Sequence, residues 1–456
     1  MTLVLARHVL PLDSDCVLNN YGVAFANGVI VDIMPRHELL AKYPSFVVID
    51  RSDCVLMPGF VNTHTHLGMS VLRGFADDKR LKEWLSYIWP VETHFNQTDD
   101  SFIRVGVQLG SAEAIRGGTT CVADMYYKPE VTGAVLKQAG LRGLVGFTLS
   151  DFALGDSQSL DECFREGDQL AQHKDKLVRF TAAPHAPYTA SLGTYRRAKA
   201  FAKTHKVPVL SHLHETKKEV ADSVEKVDNV PAVHLQEVLD RDFLAVHFVA
   251  ASDDDIRLLA QKGVSVAHCP TSNLKLASGV ARVSEMIKRG VNVALGTDST
   301  ASNNALDMFR EMRLAALLAK GVHTHDASSL DALTVLRMAT INGARALKLN
   351  SRTGSLTIGK DADIIAVSLT SLELTPIYDV VSHLVYAACR NDVNDVWVRG
   401  RPLMLNRELL SLDVAAIKKA ARDLAARISV FDSTRKHGAD SREEKKSTAT
   451  SALSHA

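Results

Sequence analysis

The sequence lacks paired cysteines. Its six, Cys16, Cys54, Cys121, Cys163, Cys269 and Cys389, lie far apart and form no CxxC pair. That argues against a disulfide framework and reads as reduced thiols in a cytosolic protein. There is no run of about 18 apolar residues, which excludes a membrane-spanning helix. There is no excess of either charge: the formal net charge is +1 over 456 residues. No basic block is large enough to point to nucleic acid. The opening MTLVLARHVLPLDSD is apolar for only a few residues and is interrupted by Arg7 and His8, a poor secretory signal. What is left is an ordinary soluble composition, 46% hydrophobic and 23% charged. The length suits one large barrel with an accessory domain.

Against that background one stretch stands out, residues 58–69, PGFVNTHTHLGM. An apolar run enters it at 54–57, and Pro58-Gly59 is a turn signal. On a strand, His64 and His66 point to the same face. Two imidazoles so placed at a strand end can hold one metal ion. Alone, such a pair is as readily two solvated histidines. The metal is favoured because further His, Asp and Glu residues stand at later strand ends.

From residue 58 to about 350 the text alternates between strand and helix. Strands are expected at 119–124, 142–147, 178–183, 207–212, 243–247, 264–268 and 291–295, with the strand after Pro58 as the first of eight. Helices are expected between them, including 99–116, 160–173, 192–205, 233–239, 253–262 and 283–288. Eightfold alternation argues for a (β/α)8 barrel over an open doubly wound sheet. His64 with His66, Asp124, His185, His212, His247, His268 and Asp298 all fall at C-terminal strand ends, the face where such barrels carry their active sites. Any one of them could serve a turn. Seven of eight ends is hard to assign to turn chemistry.

Residues 1–57 read as short strands, with 17–26 and 29–33 flanking the hairpin dipeptide Asn27-Gly28. Strand-like text returns at 353–358, 364–368, 396–398 and 402–404. Residues 1–57 and 351–408 are therefore expected to form one small β-sandwich from both chain ends. A helix follows in 409–433, and 434–456 is polar enough to read as a disordered tail.

A catalytic metal needs several protein ligands and an open position for water. His64 and His66 supply two, and Asp298 is a candidate for another that could also receive the water proton. In LSHLHET, His212 and His214 alternate to the same face, so pattern does not choose between them. Glu215, just beyond, could be an acid–base group. His247 could bind metal or polarise a substrate.

These motifs, PGFVNTHTH, HLHET, the histidine at the sixth strand end and GTDS at the eighth, resemble the metal-dependent amidohydrolase superfamily over nearly the whole chain. Within it the chain looks most like the 5-methylthioadenosine/S-adenosylhomocysteine deaminases. THTHLGMSVLRGFADDKRLKEWLSYIWPVE, PHAPY, HCPTSNLKLASGVARV and LGTDSTASNNALDMFREMRLAALL carry that closer match. The resemblance implies one divalent ion, Zn or alternatively Fe, held by His64, His66, His212 and Asp298. Glu215, three residues after His212, would shuttle protons, which settles the choice against His214 and leaves the latter as a lining residue. His247 would contact the attacking water or the leaving group. Glu92 would bind the ribose hydroxyls and His185 the purine ring, with Glu215 and Asp298 also touching substrate. The fourth strand ends in Pro184-His185 and not in a lysine, which fits one metal rather than two.

The activity implied is hydrolytic removal of the 6-amino group of an adenine nucleoside: 5′-methylthioadenosine, S-adenosylhomocysteine or adenosine. Guanine or 8-oxoguanine deamination and s-triazine hydrolysis are the alternatives with the same metal set. A non-catalytic scaffold is a third, disfavoured because every ligand is present. The HxE and PCxxC design of cytidine-type deaminases is absent. Residues 148–160 contain no arginine or lysine to hold a homocysteine carboxylate, which favours methylthioadenosine or adenosine. The resemblance also implies a homo-oligomer working on a small molecule, and the composition points to a cytoplasmic protein with neither nucleic acid nor membrane as partner.

Overall fold

The structure is a computed structural model that describes residues 1–98, 100–152 and 159–453, those after 435 by backbone alone. Its centre is eight parallel strands in two four-stranded sheets. Phe60–Thr65, Thr119–Tyr126, Arg142–Leu149 and Val178–Pro184 form the first. Val209–Leu213, Phe243–His247, Ser265–His268 and Asn292–Leu295 form the second. Every residue of Thr119–Tyr126 is buried, as expected of a parallel strand covered on both faces. The two sheets meet at both flanks. The His212 N–H donates to the His185 carbonyl at 3.1 Å, and the Asp298 N–H to the His64 carbonyl at 2.9 Å.

Helices follow the strands and are fixed by local chemistry. Asp253–Lys262 opens on a capping box between Ser252 and Asp255 and closes on Gly263. Pro129–Ala139 closes on Gly140 at φ 79°, a conformation glycine adopts without a Cβ clash. Lys217–Val227, capped by Thr216, is among the helices that the pattern does not announce. The helix expected at 233–239 is only the turn Pro231–His234.

The two chain ends share a nine-stranded sheet. Ile364–Ser368 pairs antiparallel with Val47–Pro58, which itself runs parallel to Thr2–Val9. Where a small sandwich was expected, hydrogen bonding makes one continuous sheet. It curls so that Phe25 and Trp397 from opposite wings meet at 6.5 Å and enclose a small core. Other expectations shift in detail. Val47–Pro58 is one long strand, 353–358 is not a strand, and Arg36–Lys42 is an extra helix. The terminal helix spans Val414–Leu453. The tail expected from 434 lies, beyond 435, outside the residues whose side chains are described.

Arg142 ties the two parts together. Its guanidinium, 1% exposed, donates to Asp363 and Asp361 at 2.8 Å each. This clamp sits at the N-terminal ends of the strands, away from the site.

Candidate metal centre

The C-terminal ends of the strands converge on one point. His64 Nε2 lies 3.2 Å from His212 Nε2 and 3.4 Å from Asp298 Oδ1. His66 Nε2 lies 3.3 Å from the same carboxylate oxygen, and His247 Nε2 lies 4.0 Å from Asp298 Oδ2. The donors form two triads sharing His64: His64, His212 and His247, and His64, His66 and Asp298. The backbone bends to aim them. His247 and Asp298 occupy the left-handed region at φ 73° and 62°. Each costs on the order of 1–3 kcal/mol, a strain typical of functional sites. Gly296 lets the eighth strand approach: a Cβ there would meet the His64 backbone N at 2.9 Å.

The tautomers follow from the outer partners. His66 Nδ1 faces the Met125 carbonyl at 2.5 Å, and His212 Nδ1 faces the His185 carbonyl at 2.7 Å. A carbonyl only accepts, so both Nδ1 atoms carry the proton and both Nε2 lone pairs point inward. His247 Nδ1 donates in the same way to Asn273 Oδ1 at 2.8 Å. Asp298 is held from behind by the hydroxyls of Ser272 at 2.6 Å and Ser302 at 3.0 Å, and by the Ser299 N–H at 2.7 Å.

Inward lone pairs beside a buried carboxylate require a positive charge. Burial raises the pKa of Asp298, but His64 and His66 outweigh it and hold the carboxyl well below its usual range. Burial lowers His66, yet Asp298 raises it to about 9. His64, fully buried, is pushed down to about 4. Tetrahedral ligands about 2.1 Å from one ion stand about 3.4 Å apart, which the spacings around His64 match. The donor set therefore fits a single divalent cation.

Above the cluster is a cavity of about 70 Å³ lined by His66, Trp84, Glu92, Tyr126, His185, His212, Glu215, His247 and Asp298. Glu92, on the helix Leu81–Thr98, accepts a hydrogen bond from the Tyr126 hydroxyl at 2.5 Å; burial pushes its pKa up to about 7. His185, half-buried and near His66 and His64, is lowered to about 3 by desolvation and by those two rings, and so is neutral. Glu215 is raised by burial, which favours its protonated form. Its backbone N–H and that of His214 donate to the Glu219 carboxylate at 2.7 and 3.0 Å.

His66, Glu92, His185, His212, Glu215, His247 and Asp298 line this cavity, and His64 lies directly beneath it. One lining expectation fails. The strand ends at Leu213 and His214 turns into the left-handed region at φ 54°, so alternation stops. Its Nδ1 faces the Ala250 carbonyl and its Nε2 accepts from the Ala232 N–H, both at 3.0 Å, outside the cavity. Asp124 lies under His66, accepting from Thr65 and the Leu67 N–H, and His268 is buried outside the cavity. Sequence reasoning missed Tyr126 and Ser272. Tyr126 is two residues beyond Asp124 on one strand face, a spacing that could have flagged it.

The sequence matches the profile of the amidohydrolase family over residues 55–403. The chain belongs to the amidohydrolase family. Within that family it is 41% identical over 426 residues to a 5-methylthioadenosine/S-adenosylhomocysteine deaminase of Syntrophobacter fumaroxidans, covering 92% of this chain and 96% of the relative. Its fold superposes on an adenosine deaminase of Xanthomonas campestris with bound zinc at a TM-score of 0.90 and 43% identity, covering 94% and 98% of the two chains. It also superposes on a zinc-complexed atrazine chlorohydrolase of Arthrobacter aurescens at a TM-score of 0.87, covering 93% and 100%; at 21% identity that likeness speaks for the fold alone. The amidohydrolase fold found here is thus related to known (β/α)8 barrel enzymes.

Proposed function

We propose that this amidohydrolase is a metal-dependent deaminase that converts the 6-amino group of an adenine nucleoside of the methylthioadenosine/S-adenosylhomocysteine type to a 6-oxo group, releasing ammonia. The observation that carries it is Glu92 and His185 in one cavity over the His64–His66–His212–Asp298 cluster. The match in length and sequence to methylthioadenosine/S-adenosylhomocysteine deaminases supports the same substrate class.

In this reading His64, His66, His212 and Asp298 hold one ion, zinc in preference to iron. When bound, the ion supplies Lewis acidity and brings the pKa of water from 15.7 to about 7. The remaining work falls to the chain. Asp298 takes one proton from the attacking water as its oxygen adds to C6. Glu215, whose pKa burial raises, gives its proton to N1, so charge does not build up on the ring. Asp298 then protonates the amino group, which leaves as ammonia, while the new C6 hydroxyl returns a proton to Glu215. His247, with Nδ1 committed to Asn273, offers Nε2 as an acceptor to the water. Glu92 grips the ribose hydroxyls and neutral His185 meets the purine ring.

The two four-stranded sheets are read as one closed (β/α)8 barrel, supported by the backbone hydrogen bonds at both flanks. The protein is read as a cytoplasmic homo-oligomer. All six cysteines are free, and no helix among the described residues is long and apolar enough to cross a membrane.

An ultraviolet assay tests the activity, because the adenine-to-hypoxanthine change shifts the absorbance maximum. Metal-loaded protein is given 5′-methylthioadenosine, adenosine, S-adenosylhomocysteine and guanine in parallel. Turnover of an adenine nucleoside but not guanine is expected. Turnover of guanine alone would overturn the roles of Glu92 and His185.

A further inference from the structure

Tyr126 stands at the cavity with no part in the metal cluster or in the proton transfers at C6. It closes the strand Thr119–Tyr126 and is 4% exposed. The end of that strand organises its surroundings residue by residue. Asp124 Oδ1 accepts from the Leu67 N–H at 2.6 Å and fixes the chain just beyond His66. The Met125 carbonyl orients His66 through Nδ1. The Tyr126 hydroxyl reaches the helix Leu81–Thr98 and donates to Glu92 Oε1.

The direction of that last bond is set. Burial and the Glu92 carboxylate push the phenol well above its ordinary range, so the hydroxyl keeps its proton and donates. No other group donates to Glu92 among the described residues. The terminal torsion of a glutamate is otherwise broad, so this one donor decides the plane of the carboxylate. The phenol is itself confined. Its ring lies 6.3 Å from the His66 ring and 5.0 Å from the Tyr127 ring. Residue 68 is glycine, and a Cβ there would collide with the Tyr126 ring.

An ionised carboxylate offers about four lone-pair sites. Tyr126 takes one on Oε1, which leaves another on Oε1 and both on Oε2. A vicinal diol brings two donors side by side, so it needs both oxygens in a fixed plane. A carboxylate free to turn would lose part of that binding to ordering. Resting on the reading of Glu92 as the group that takes the ribose hydroxyls, we propose that Tyr126 is a positioning residue that locks the Glu92 carboxylate in the plane that receives both hydroxyls, and so makes the site select ribonucleosides over dideoxyribonucleosides. Tyr126 acts through Glu92 and not on the sugar itself.

The test uses the zinc-loaded full chain as wild type, Tyr126→Phe, Glu92→Ala and the double variant. KM and kcat are measured for 5′-methylthioadenosine. Its 2′,3′-dideoxy counterpart is read by its inhibition constant against that turnover, which needs no turnover of its own. Tyr126→Phe keeps the ring, and the Met125 carbonyl on His66 is backbone, so zinc per chain should not change. KM for methylthioadenosine should rise about tenfold, the lower end of the worth of a hydrogen bond to a charged group. Both kcat and the inhibition constant of the dideoxy form should stay within about twofold, and Tyr126→Phe should add less than about twofold to KM once Glu92 is alanine, the mark of two residues acting as one unit. Equal losses for the ribo and dideoxy forms, a fall in kcat with KM unchanged, or the full effect in the Glu92→Ala background would overturn the proposal. A wild type that binds both forms equally, or a Glu92→Ala variant with unchanged KM, would instead overturn the reading of Glu92 as the ribose group.

Discussion

At the scale of the residue, chemistry is decided by which proton sits where. Burial raises the pKa of Glu215, which favours the acid form that the proposed reaction uses. Glu215→Gln keeps the shape and removes the proton. It is expected to lower kcat by about 10²–10⁴-fold, the usual worth of a general acid, with metal content unchanged. Metal analysis alongside the assay checks both halves, and full activity in the variant would remove Glu215 from the mechanism. Glu92 is the corresponding test of binding. Glu92→Gln should raise KM for nucleosides more than it lowers kcat. A fall in kcat alone would place Glu92 outside ribose recognition. Much at this scale was legible. His64, His66, Asp298 and His247 announce themselves because strand ends concentrate catalytic groups on one face. His214 misled, because its turn into the left-handed region breaks the alternation that made it look equivalent to His212. Ser272 was hidden, since a serine in a loop carries no periodic signal and its value lies only in reaching Asp298.

At the scale of the element, the loops after the seventh and eighth strands are held together by one helix. Glu311, on Met308–Leu318, accepts from the Thr271 N–H at 3.1 Å and from Asn303 Nδ2 at 2.8 Å. Ser272 and Ser302, the hydroxyls on Asp298, are neighbours of those two partners. Burial raises the Glu311 pKa to about 7, from 4.5 for the free side chain. The folded state thus holds this proton more tightly than the unfolded chain. The associated stability is present in full below about pH 4.5 and is lost as pH rises through 7, by up to about 3 kcal/mol. Glu311→Gln carries no ionisable group. Its Tm relative to wild type should therefore climb between pH 6 and pH 8. A constant difference across that range would show that Glu311 does not titrate there. The helix Lys217–Val227 went unseen because its lysines and glutamates dilute the apolar face.

At the scale of the whole molecule, both chain ends return to one sheet, and Arg142 locks that sheet to the central strands. Arg142 is buried against Asp361 and Asp363, and Arg352 and Arg399 reach Asp361 as well. Arg142→Met would leave carboxylates buried without their main partner. Breaking such a pair costs about 3–5 kcal/mol. Calorimetry should show a lower Tm, while the zinc content of the folded protein stays the same. An unchanged Tm would mean that Arg352 and Arg399 suffice. Eightfold alternation made the central strands legible, but not the curl that turns one sheet into a closed core. That curl depends on long-range pairs such as Ile364 with Pro58, which no local pattern records.

The central claim is that one divalent ion in the His64–His66–His212–Asp298 cluster is needed to deaminate an adenine nucleoside. The most direct measurement strips the protein with a chelator, returns zinc in steps, and follows ammonia release from 5′-methylthioadenosine against zinc bound per chain. Activity should be absent without metal, rise linearly, and break at one ion per chain. Full activity in the stripped protein, or a break at two ions, would contradict the account.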